Sequence, residues 1–293
     1  MSAPHGRTAG RFRLRSELRQ RREDAGLTQE QAAAEMEWSL SKLVRIEAGT
    51  VSISVNDLRA LLGLYGVHDR AEIDEMLKLA RSARQRVWWT QYRDVLAPQY
   101  LEFIGFETDA SGIRCFHPTI VPGLLQTEAY ARAVIAGAAL NEVADDIVEA
   151  RVAVRMTRIK ELFGRDDPPR ISVVMDEAVL HRPVGGPAVM RGQLHHLAEV
   201  ATQPQVDLCV LPFRAGVHPG VYGSFLLFDF PDAADEIVLY LEQAQTQMLL
   251  RDRPAEIAAY ERVFNRLRAM TLSTEESIAM LLRTAGEMSR LAA

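Results

Sequence analysis

The sequence predicts a multidomain protein in which an all-α N-terminal domain precedes an α+β domain with a small mixed sheet framed by helices. Two short amphipathic stretches, separated by a break of three residues, lie between Thr28 and Glu47, and their apolar residues recur at helical spacing. After residue 165 the apolar residues instead form short β-branched and aromatic runs bounded by Gly, Pro and Asp. A chain of 293 residues is long enough for two such domains.

The two helical stretches predict a helix-turn-helix. Thr28 can cap the first helix, with Gln31 reaching back to the N–H of Thr28, and Ser39 can cap the second. Leu43 and Ile46, three residues apart, should face the core. Such a pair of helices typically lays its second member in the major groove of DNA. A helical hairpin inside a larger bundle is the alternative that this stretch leaves open.

The second helix leaves a mixed group of side chains for its outward face or rim. Apolar Leu40 and Val44 would suit contact with thymine methyl groups, whereas Lys42 and Arg45 would suit phosphates or guanine edges. The candidate outward residues are Leu40, Ser41, Lys42, Val44 and Arg45.

From about Phe12 to Val67 the sequence resembles the xenobiotic-response-element (XRE) family of helix-turn-helix proteins, which are of the phage-repressor type. The resemblance rests on LRQRREDAGLTQEQAA, SKLVRIEAG and SVNDLRALLGLYGV. It implies that Arg22 and Glu47 pair as a structural brace and that Gly49 ends the second helix. The loop after Gly49 departs from the family, because many relatives carry a proline there.

The same resemblance implies a set of DNA contacts. Gln29, at the start of the first helix, would bind a backbone phosphate, and Lys42 would lie beside the backbone. The base-reading positions are Leu40, Ser41, Val44 and Arg45. The complete predicted set of DNA-binding residues is Thr28, Gln29, Ser39, Leu40, Ser41, Lys42, Val44 and Arg45.

Charge is distributed unevenly along the chain. The net charge of −5 would by itself argue against a nucleic-acid binder, but residues 1–66 hold ten basic and eight acidic side chains. Residues 1–22 hold seven arginines and one acid. We expect a disordered basic arm at residues 1–11, whose arginines either contact phosphates or a minor groove, or are simply solvated.

Periodicity and composition set the predicted domain boundaries. Adjacent Trp88 and Trp89, which end the helical run AEIDEMLKLARSARQRVWW, are predicted to be packing anchors rather than a ligand site. The expected order is the arm 1–11, the helix-turn-helix domain 12–67, a linker helix 68–97, and a C-terminal regulatory domain 98–293 with a helical part 98–165, a sheet part 166–250 and terminal helices 251–293.

Four runs in the sheet part are strand candidates: ISVVM, VDLCVLP, GSFLLFDF and EIVLYLE. A helix of crossover length joins the first two, which predicts a parallel pair, whereas the last two follow closely enough to be antiparallel. The helical part is interrupted by IRCFHPTIVPGLLQ, whose prolines exclude a continuous helix.

From about Val87 to Leu291 the chain resembles the C-terminal domain, of unknown biochemical activity, of actinobacterial antitoxin-like regulators of the Scr-type toxin–antitoxin group. The Trp-Trp pair, HPTIVPGLLQTEAYARA, MDEAVLHRPVGGPAVMRGQLHHL and VLPFRAGVHPGVYGSFLLFDF carry the resemblance. It implies a transcriptional regulator encoded beside a small partner protein that binds it. The family provides no catalytic residue to carry over.

An enzyme is the less favoured alternative, and no catalytic residue, cofactor or metal is expected. Asp176, Glu177 and His181 follow a strand, but the seven histidines and two cysteines show no metal-ligand spacing. Cys115 and Cys209 lie in apolar runs, as reduced core cysteines do. No apolar run spans a bilayer and no signal peptide is evident, so we expect a cytoplasmic, nucleoid-associated protein without a membrane partner.

Regulation through the C-terminal domain has two candidate inputs. The loop FRAGVHPGVYG, with Phe213, His218 and Tyr222, could form the surface for a partner protein or line a pocket for a small molecule. The resemblance favours the small partner protein. One recognition helix reads few base pairs, so we also expect a homodimer on double-stranded DNA at an inverted repeat.

Overall fold

The computed structural model describes residues 7–49, 51–82, 88–92, 95–139, 143–230, 233–242, 247–250 and 253–291. The chain divides into two compact units, Met1–Thr90 and Gln91–Ala293. Among its described residues, the first unit contains five α-helices: α1 (Arg7–Asp24), α2 (Gln29–Glu35), α3 (Leu40–Glu47), α4 (Val55–Leu64) and α5 (Arg70–Ser82).

One apolar core holds the N-terminal unit together, and every one of its helices contributes to it. Small Ala32 and Ala33 on α2 are buried and let α3 pack closely, and Leu43 and Ile46 of α3 face the same core, as predicted. The remaining buried members of this core are Leu14, Leu18, Ile53, Leu58, Leu61, Leu62, Tyr65, Val67, Met76, Leu77, Leu79 and Ala80.

Two boundaries of the N-terminal unit differ from the prediction. Helix α1 begins at Arg7, so the disorder expected up to residue 11 is wrong for residues 7–11, and residues 1–6 lie outside the described chain. The helix expected to be a linker is α5, whose buried Met76 and Leu77 belong to the core. An amphipathic helix has an apolar face that must be covered, and here α1 and α4 pack against it.

The C-terminal unit is built on a six-stranded sheet in the order β3-β2-β1-β4-β5-β6. Strands β1, β2 and β3 are parallel, and β4, β5 and β6 continue the sheet in antiparallel fashion. The strands are β1 (Gly112–His117), β2 (Arg170–Asp176), β3 (Val206–Leu211), β4 (Phe225–Phe230), β5 (Ala233–Glu242) and β6 (Gln247–Leu250).

Six helices accompany the sheet: α6 (Pro98–Asp109), α7 (Glu128–Gly137), α8 (Asp145–Phe163), α9 (Pro187–Val200), α10 (Pro254–Arg268) and α11 (Thr274–Leu291). Helix α10 packs Phe264 and Leu267 against Phe116, Phe225 and their neighbours on one face of the sheet. The predicted α+β class is therefore confirmed, with a mixed sheet framed by helices.

The opposite face of the sheet is set by strand alternation. Ile113 and Cys115 on β1, paired in register with Ile171 and Val173 on β2, point away from α10. On this side Phe103 of α6 packs against the sheet. The space between this face and helices α6, α7 and α8 contains a cavity.

Strand pairing agrees with the sequence prediction where strands were predicted. The pair β2–β3 is parallel and the pair β4–β5 is antiparallel, as expected. The central strand β1 and the edge strand β6 were missed. The opposite edge is protected, because the N–H and C=O of Val210 on β3 bond to Ser277 and Leu272.

Both cysteines, Cys115 and Cys209, are buried and free, as predicted for core residues. Burial raises the pKa of each thiol, so both remain protonated. Within the described part of the chain, no helix is both long enough and apolar enough to cross a membrane.

Candidate nucleic-acid interface

Both helices of the predicted motif begin at the expected residues. The backbone N–H of Gln31 donates to Thr28 Oγ1 at 3.2 Å, and the N–H of Thr28 donates to Gln31 Oε1 at 2.9 Å, which completes a capping box. Ser39 Oγ accepts from the N–H of Lys42 at 3.2 Å and caps α3. Both caps are confirmed, and each provides an acceptor for one N–H group at the start of its helix.

The turn between α2 and α3 comprises four residues, 36–39, where the sequence suggested three. Glu37 has φ +53°, which is unusual for a residue other than glycine. The N–H of Trp38 donates to the carbonyl oxygen of Ala33 at 2.8 Å and closes the turn. This backbone geometry sets the direction in which α3 leaves α2.

Helix α3 presents one exposed face. Leu40 is 40% exposed and Val44 38%, and Ser41 and Arg45 are exposed beside them. The four residues recur at positions i, i+1, i+4 and i+5, which lie on one side of a helix. The four side chains expected to read bases therefore share a single surface.

Lys42 is engaged within the protein rather than pointing freely outward. Its Nζ lies 3.3 Å from Asp57 Oδ2 on α4 and 3.6 Å from the centre of the Trp38 ring. A phosphate contact by Lys42, as the family resemblance implies, requires the ammonium to exchange Asp57 for the phosphate. Asp57 itself follows the cap of α4, where its N–H donates to Ser54 Oγ at 2.9 Å.

The predicted brace between Arg22 and Glu47 is present. Arg22 Nε donates to Glu47 Oε1 at 2.8 Å and Arg22 Nη2 donates to Oε2 at 3.2 Å, and both side chains are buried. The hydrogen bond to Glu47 raises the pKa of Arg22. Arg22 Nη1 also donates to the carbonyl oxygen of Leu27 at 2.8 Å, so one guanidinium ties α1, the start of α2 and α3 together.

Gln29 contributes to the same brace, a role that the sequence did not predict. Its Nε2 donates to Glu47 Oε2 at 2.8 Å, which leaves one N–H and the amide oxygen for other partners. Arg15 Nε donates to the backbone oxygen of Glu47 at 3.2 Å. The predicted DNA contacts of the arm arginines concern Arg7 and Arg11, whose side chains lie outside the described part of the chain.

The C-terminal residues singled out by sequence do not form a pocket together. Phe213 is 59% exposed and Tyr222 94%, whereas His218 is largely buried against Phe116. His218 Nε2 lies 3.3 Å from Asp176 Oδ2. The histidine therefore anchors a loop whose aromatic side chains project into solvent.

The acids after β2 hold this same loop. Glu177 Oε2 accepts from the N–H of Phe213 at 2.7 Å, and Asp176 Oδ1 accepts from the N–H of Ala178 at 2.8 Å. His181 stacks on Phe213 at 5.9 Å between ring centres. Among the residues that the structure describes, no group of three or more His, Cys, Asp and Glu side chains is arranged to hold a metal ion.

The cavity of the C-terminal unit was not predicted from the sequence. It encloses about 610 Å³, and neither Phe213, His218 nor Tyr222 is among its described lining residues. The sequence carried a signal for it in the arginines at 151, 155 and 158, whose i, i+4, i+7 spacing places them on one face of α8.

Comparison with protein-family models supports both parts of this description. Residues 13–76 match the model described as a helix-turn-helix domain, and residues 100–283 match the model described as a domain of unknown function (DUF5753). The fold and the interface thus define a regulator of the helix-turn-helix DNA-binding class. The chain belongs to the DUF5753 family, whose model covers more than half of it. No curated protein and no solved structure matches the sequence.

Proposed function

We propose that this protein is a sequence-specific transcriptional regulator of the XRE type that places α3 in the major groove of its operator. The observation that carries the proposal is the single exposed face formed by Leu40, Ser41, Val44 and Arg45 on a helix that is braced from behind by a buried ion pair. Apolar and charged side chains on one helix face match the edges of thymine and guanine.

The residues around this face have positioning roles in the proposal. Thr28 and Ser39 lie at helix N-termini, where backbone N–H groups attract a phosphate. Gln29 donates one amide N–H to Glu47 and has the other available for a phosphate. The ammonium group of Lys42 leaves Asp57 and contacts the DNA backbone instead. These contacts set the register of α3 on the duplex and carry no sequence information.

The test is a double variant, Ser41→Ala with Arg45→Ala, in the full-length chain. We expect operator affinity to fall at least tenfold towards that for unrelated DNA, because each base contact contributes about 1–3 kcal/mol. The thermal midpoint should be unchanged, since both side chains are exposed. Lys78→Ala on α5 is the matched control, because it removes one exposed positive charge outside the motif. Unchanged operator affinity in the double variant would move recognition away from α3.

The proposed regulator is a homodimer that binds an inverted repeat in the cytoplasm, on the nucleoid. One recognition helix contacts too few base pairs for a useful specificity ratio, and two related half-sites multiply that ratio. Residues 1–66 carry only a small excess of positive charge and the rest of the chain is acidic, so the number of phosphate contacts should be modest. Because these contacts are electrostatic, the affinity for DNA should fall as the salt concentration rises.

We further propose that the C-terminal unit is not an enzyme but receives a protein signal, as in the antitoxin-like regulators that it resembles. Val217, Val221 and Tyr222 are exposed beside Phe213 on a loop that His218 and Glu177 hold in place. Exposed apolar clusters of this kind favour protein contact. The proposed partner is the small protein encoded beside this one.

A pulldown with the purified neighbouring gene product tests this partner. We expect retention at micromolar concentration by the wild type and its loss in Val217→Ser with Tyr222→Ser, because both side chains project into solvent. Leu282→Ser, an exposed position on α11, is the control. Failure of the wild type to retain the small protein would exclude it as the partner.

The cavity of the C-terminal unit favours a second candidate function, that of a regulator controlled by a small molecule. Its volume of about 610 Å³ lies in the range of ligand sites.

A further inference from the structure

The cavity has an apolar floor and a polar wall. Its floor is the face of the sheet that points away from α10, including Ile113, Val173 and Leu226. Helices α6, α7 and α8 and the loop 119–126 close the other sides. Because Ala138, Arg151 and Glu242 are exposed lining residues, the cavity opens to solvent near them. A combination of apolar floor and few polar groups is typical of sites for small organic molecules.

Three arginines from α8 line the polar wall in order of increasing burial. Arg151 is exposed, Arg155 is half-buried and Arg158 is buried. Arg158 Nε lies 2.8 Å from Glu107 Oε2, a carboxylate that is itself buried on α6. Glu107 balances the charge of Arg158. Glu242 is the other acidic residue among the described lining residues, and it can balance only one of the two remaining arginines, Arg151 and Arg155. The wall therefore carries an excess of positive charge.

Arg155 is held in place but is not saturated. Its Nη1 donates to Gln126 Oε1 at 2.7 Å, and Gln126 Nε2 in turn donates to the carbonyl oxygen of Val121 at 2.7 Å. The Nε of Arg155 is buried and has no hydrogen-bond partner among the described residues. A buried donor on a cation without an acceptor is costly, so this Nε favours a bound molecule that provides an acceptor.

A second unpaired group lines the same cavity. His117, at the end of β1, is 6% exposed, and its Nε2 has no hydrogen-bond partner in the described part of the chain. The Nε2 atom of a neutral imidazole is either a donor or an acceptor, according to the tautomer. It can therefore bond a neutral polar group on a molecule whose apolar part covers the sheet.

The loop over the arginines is shaped to approach them closely. A Cβ on Gly123 would lie 2.7 Å from Arg158 Nη2 and 3.7 Å from Arg155 Nε. Only glycine fits this position without displacing a guanidinium. The loop 119–126 thus packs closely on the arginines, and its residues line the cavity together with them.

From these observations we propose that the cavity binds a small organic anion with an apolar body. The anionic group, a carboxylate or a sulfonate, accepts hydrogen bonds from Arg155 and Arg151, and the apolar body lies on Ile113, Val173 and Leu226. His117 bonds a neutral polar atom of the ligand. The proposed site specifies the ligand class for the second candidate function. The role of this ligand in controlling DNA binding rests on that proposed function.

Two fluorescent probes test the proposal on the full-length protein. The anion 1-anilinonaphthalene-8-sulfonate and its uncharged counterpart N-phenyl-1-naphthylamine have the same apolar body and differ in the sulfonate. We expect the anion to bind at micromolar concentration and at least tenfold more tightly than the neutral probe. Arg155→Gln with Arg151→Gln should weaken the anion about tenfold or more and leave the neutral probe within twofold, because only the anion uses the guanidinium groups.

Arg191→Gln is the matched control, since Arg191 is an exposed arginine on α9 outside the cavity. A cavity-filling variant, Val173→Phe, should reduce binding of both probes, and circular dichroism verifies its fold. Equal affinity for the two probes, or anion binding unchanged by the double arginine variant, would overturn the proposal. Binding is measured without DNA, so this result is independent of the Ser41/Arg45 test. Unaltered operator affinity with the probe bound would remove the second candidate function and leave the anion site in place.

Discussion

At the residue scale, one buried carboxylate connects three helices of the DNA-binding unit. Glu47 of α3 accepts hydrogen bonds from Arg22 of α1 and Gln29 of α2. A buried ion pair adds little net stability, because both charges lose their hydration, but removal of one partner leaves the other charge uncompensated. The pair therefore fixes the orientation of α3 more than it strengthens the fold.

Glu47→Ala is expected to lower the free energy of unfolding of the N-terminal unit by about 3–5 kcal/mol, because the buried Arg22 guanidinium loses its buried partner and keeps only the exposed Glu23 carboxylate, 3.5 Å away. The double variant Arg22→Met with Glu47→Leu should regain most of this loss. Hydrogen exchange of the α1 and α3 amides in increasing urea measures the unit separately. Glu23→Ala, which removes an exposed acid near Arg22, is the control, and an equal loss there would contradict the brace.

His117 is a residue whose burial makes stability depend on pH. Burial lowers the pKa of its imidazole to about 4, whereas an unfolded histidine titrates near pH ~6.5. The unfolded chain therefore takes up a proton that the native chain does not, and stability falls as the pH drops from about 6.5 to about 4. The full effect is about 3 kcal/mol.

His117→Asn should remove this dependence. The measurement is the difference in thermal midpoint between wild type and variant at pH 7, 5.5 and 4.5, since the other titrating groups contribute equally to both chains. We expect the wild type to lose its advantage progressively as the pH falls. A difference that stays constant over this range would contradict the buried neutral imidazole.

At the element scale, the C-terminal end of α3 depends on a left-handed residue. Gly49 has φ +67°, and a Cβ there would lie 2.2 Å from Arg15 Cδ, the side chain that bonds the last carbonyl of α3. Gly63, in contrast, lies in helical conformation on the exposed side of α4, and a Cβ there meets nothing within 4 Å.

Alanine is therefore expected to have opposite effects at the two glycines. Gly49→Ala should destabilise the N-terminal unit by about 1–2 kcal/mol, because an L-residue is strained at positive φ, and Gly63→Ala should stabilise it by about 0.5–1 kcal/mol. Hydrogen exchange of the amides of the N-terminal unit measures both. The same sign of change at the two positions would contradict the assigned backbone conformations.

Strand β1 could not be predicted from its own six residues. Its six residues, Gly112–His117, contain Arg114, and only pairing with β2 and β4, which are remote in sequence, makes this segment the centre of the sheet. Arg114 is accommodated because Asp229 and Glu261 bond its guanidinium at 2.7 and 3.1 Å. A charged residue in a six-residue segment obscures the pattern of a buried strand, and the acids that pair with Arg114 are remote in sequence, so the strand was not predicted.

At the scale of the whole molecule, the proposed regulator must bring two recognition helices to one operator. The full-length chain is expected to sediment as a dimer and to protect two half-sites whose centres lie about 34 Å apart, or a multiple of that distance. The Ser41→Ala/Arg45→Ala variant should remain dimeric and lose the footprint. A monomer that protects one unsymmetrical half-site would contradict the prediction.

The sequence by itself determined the class of the protein and the local features of its recognition unit. Several predicted features depend on residues close in sequence or on a known motif. They are the helix caps, the buried and exposed faces of α3, the Arg22–Glu47 pair and the strand pairs β2–β3 and β4–β5. Short-range hydrogen bonds and helical periodicity make the local features among these predictable from the sequence alone.

Only the tertiary structure decided which surfaces those elements bury. It placed α5 in the N-terminal core, turned Lys42 towards Asp57 and Gln29 towards Glu47, and assembled a cavity from seven segments that are distant along the chain. The physical reason is that burial and charge pairing depend on which side chains of different elements come into contact. The hydrophobic periodicity and the composition of the sequence do not specify those contacts.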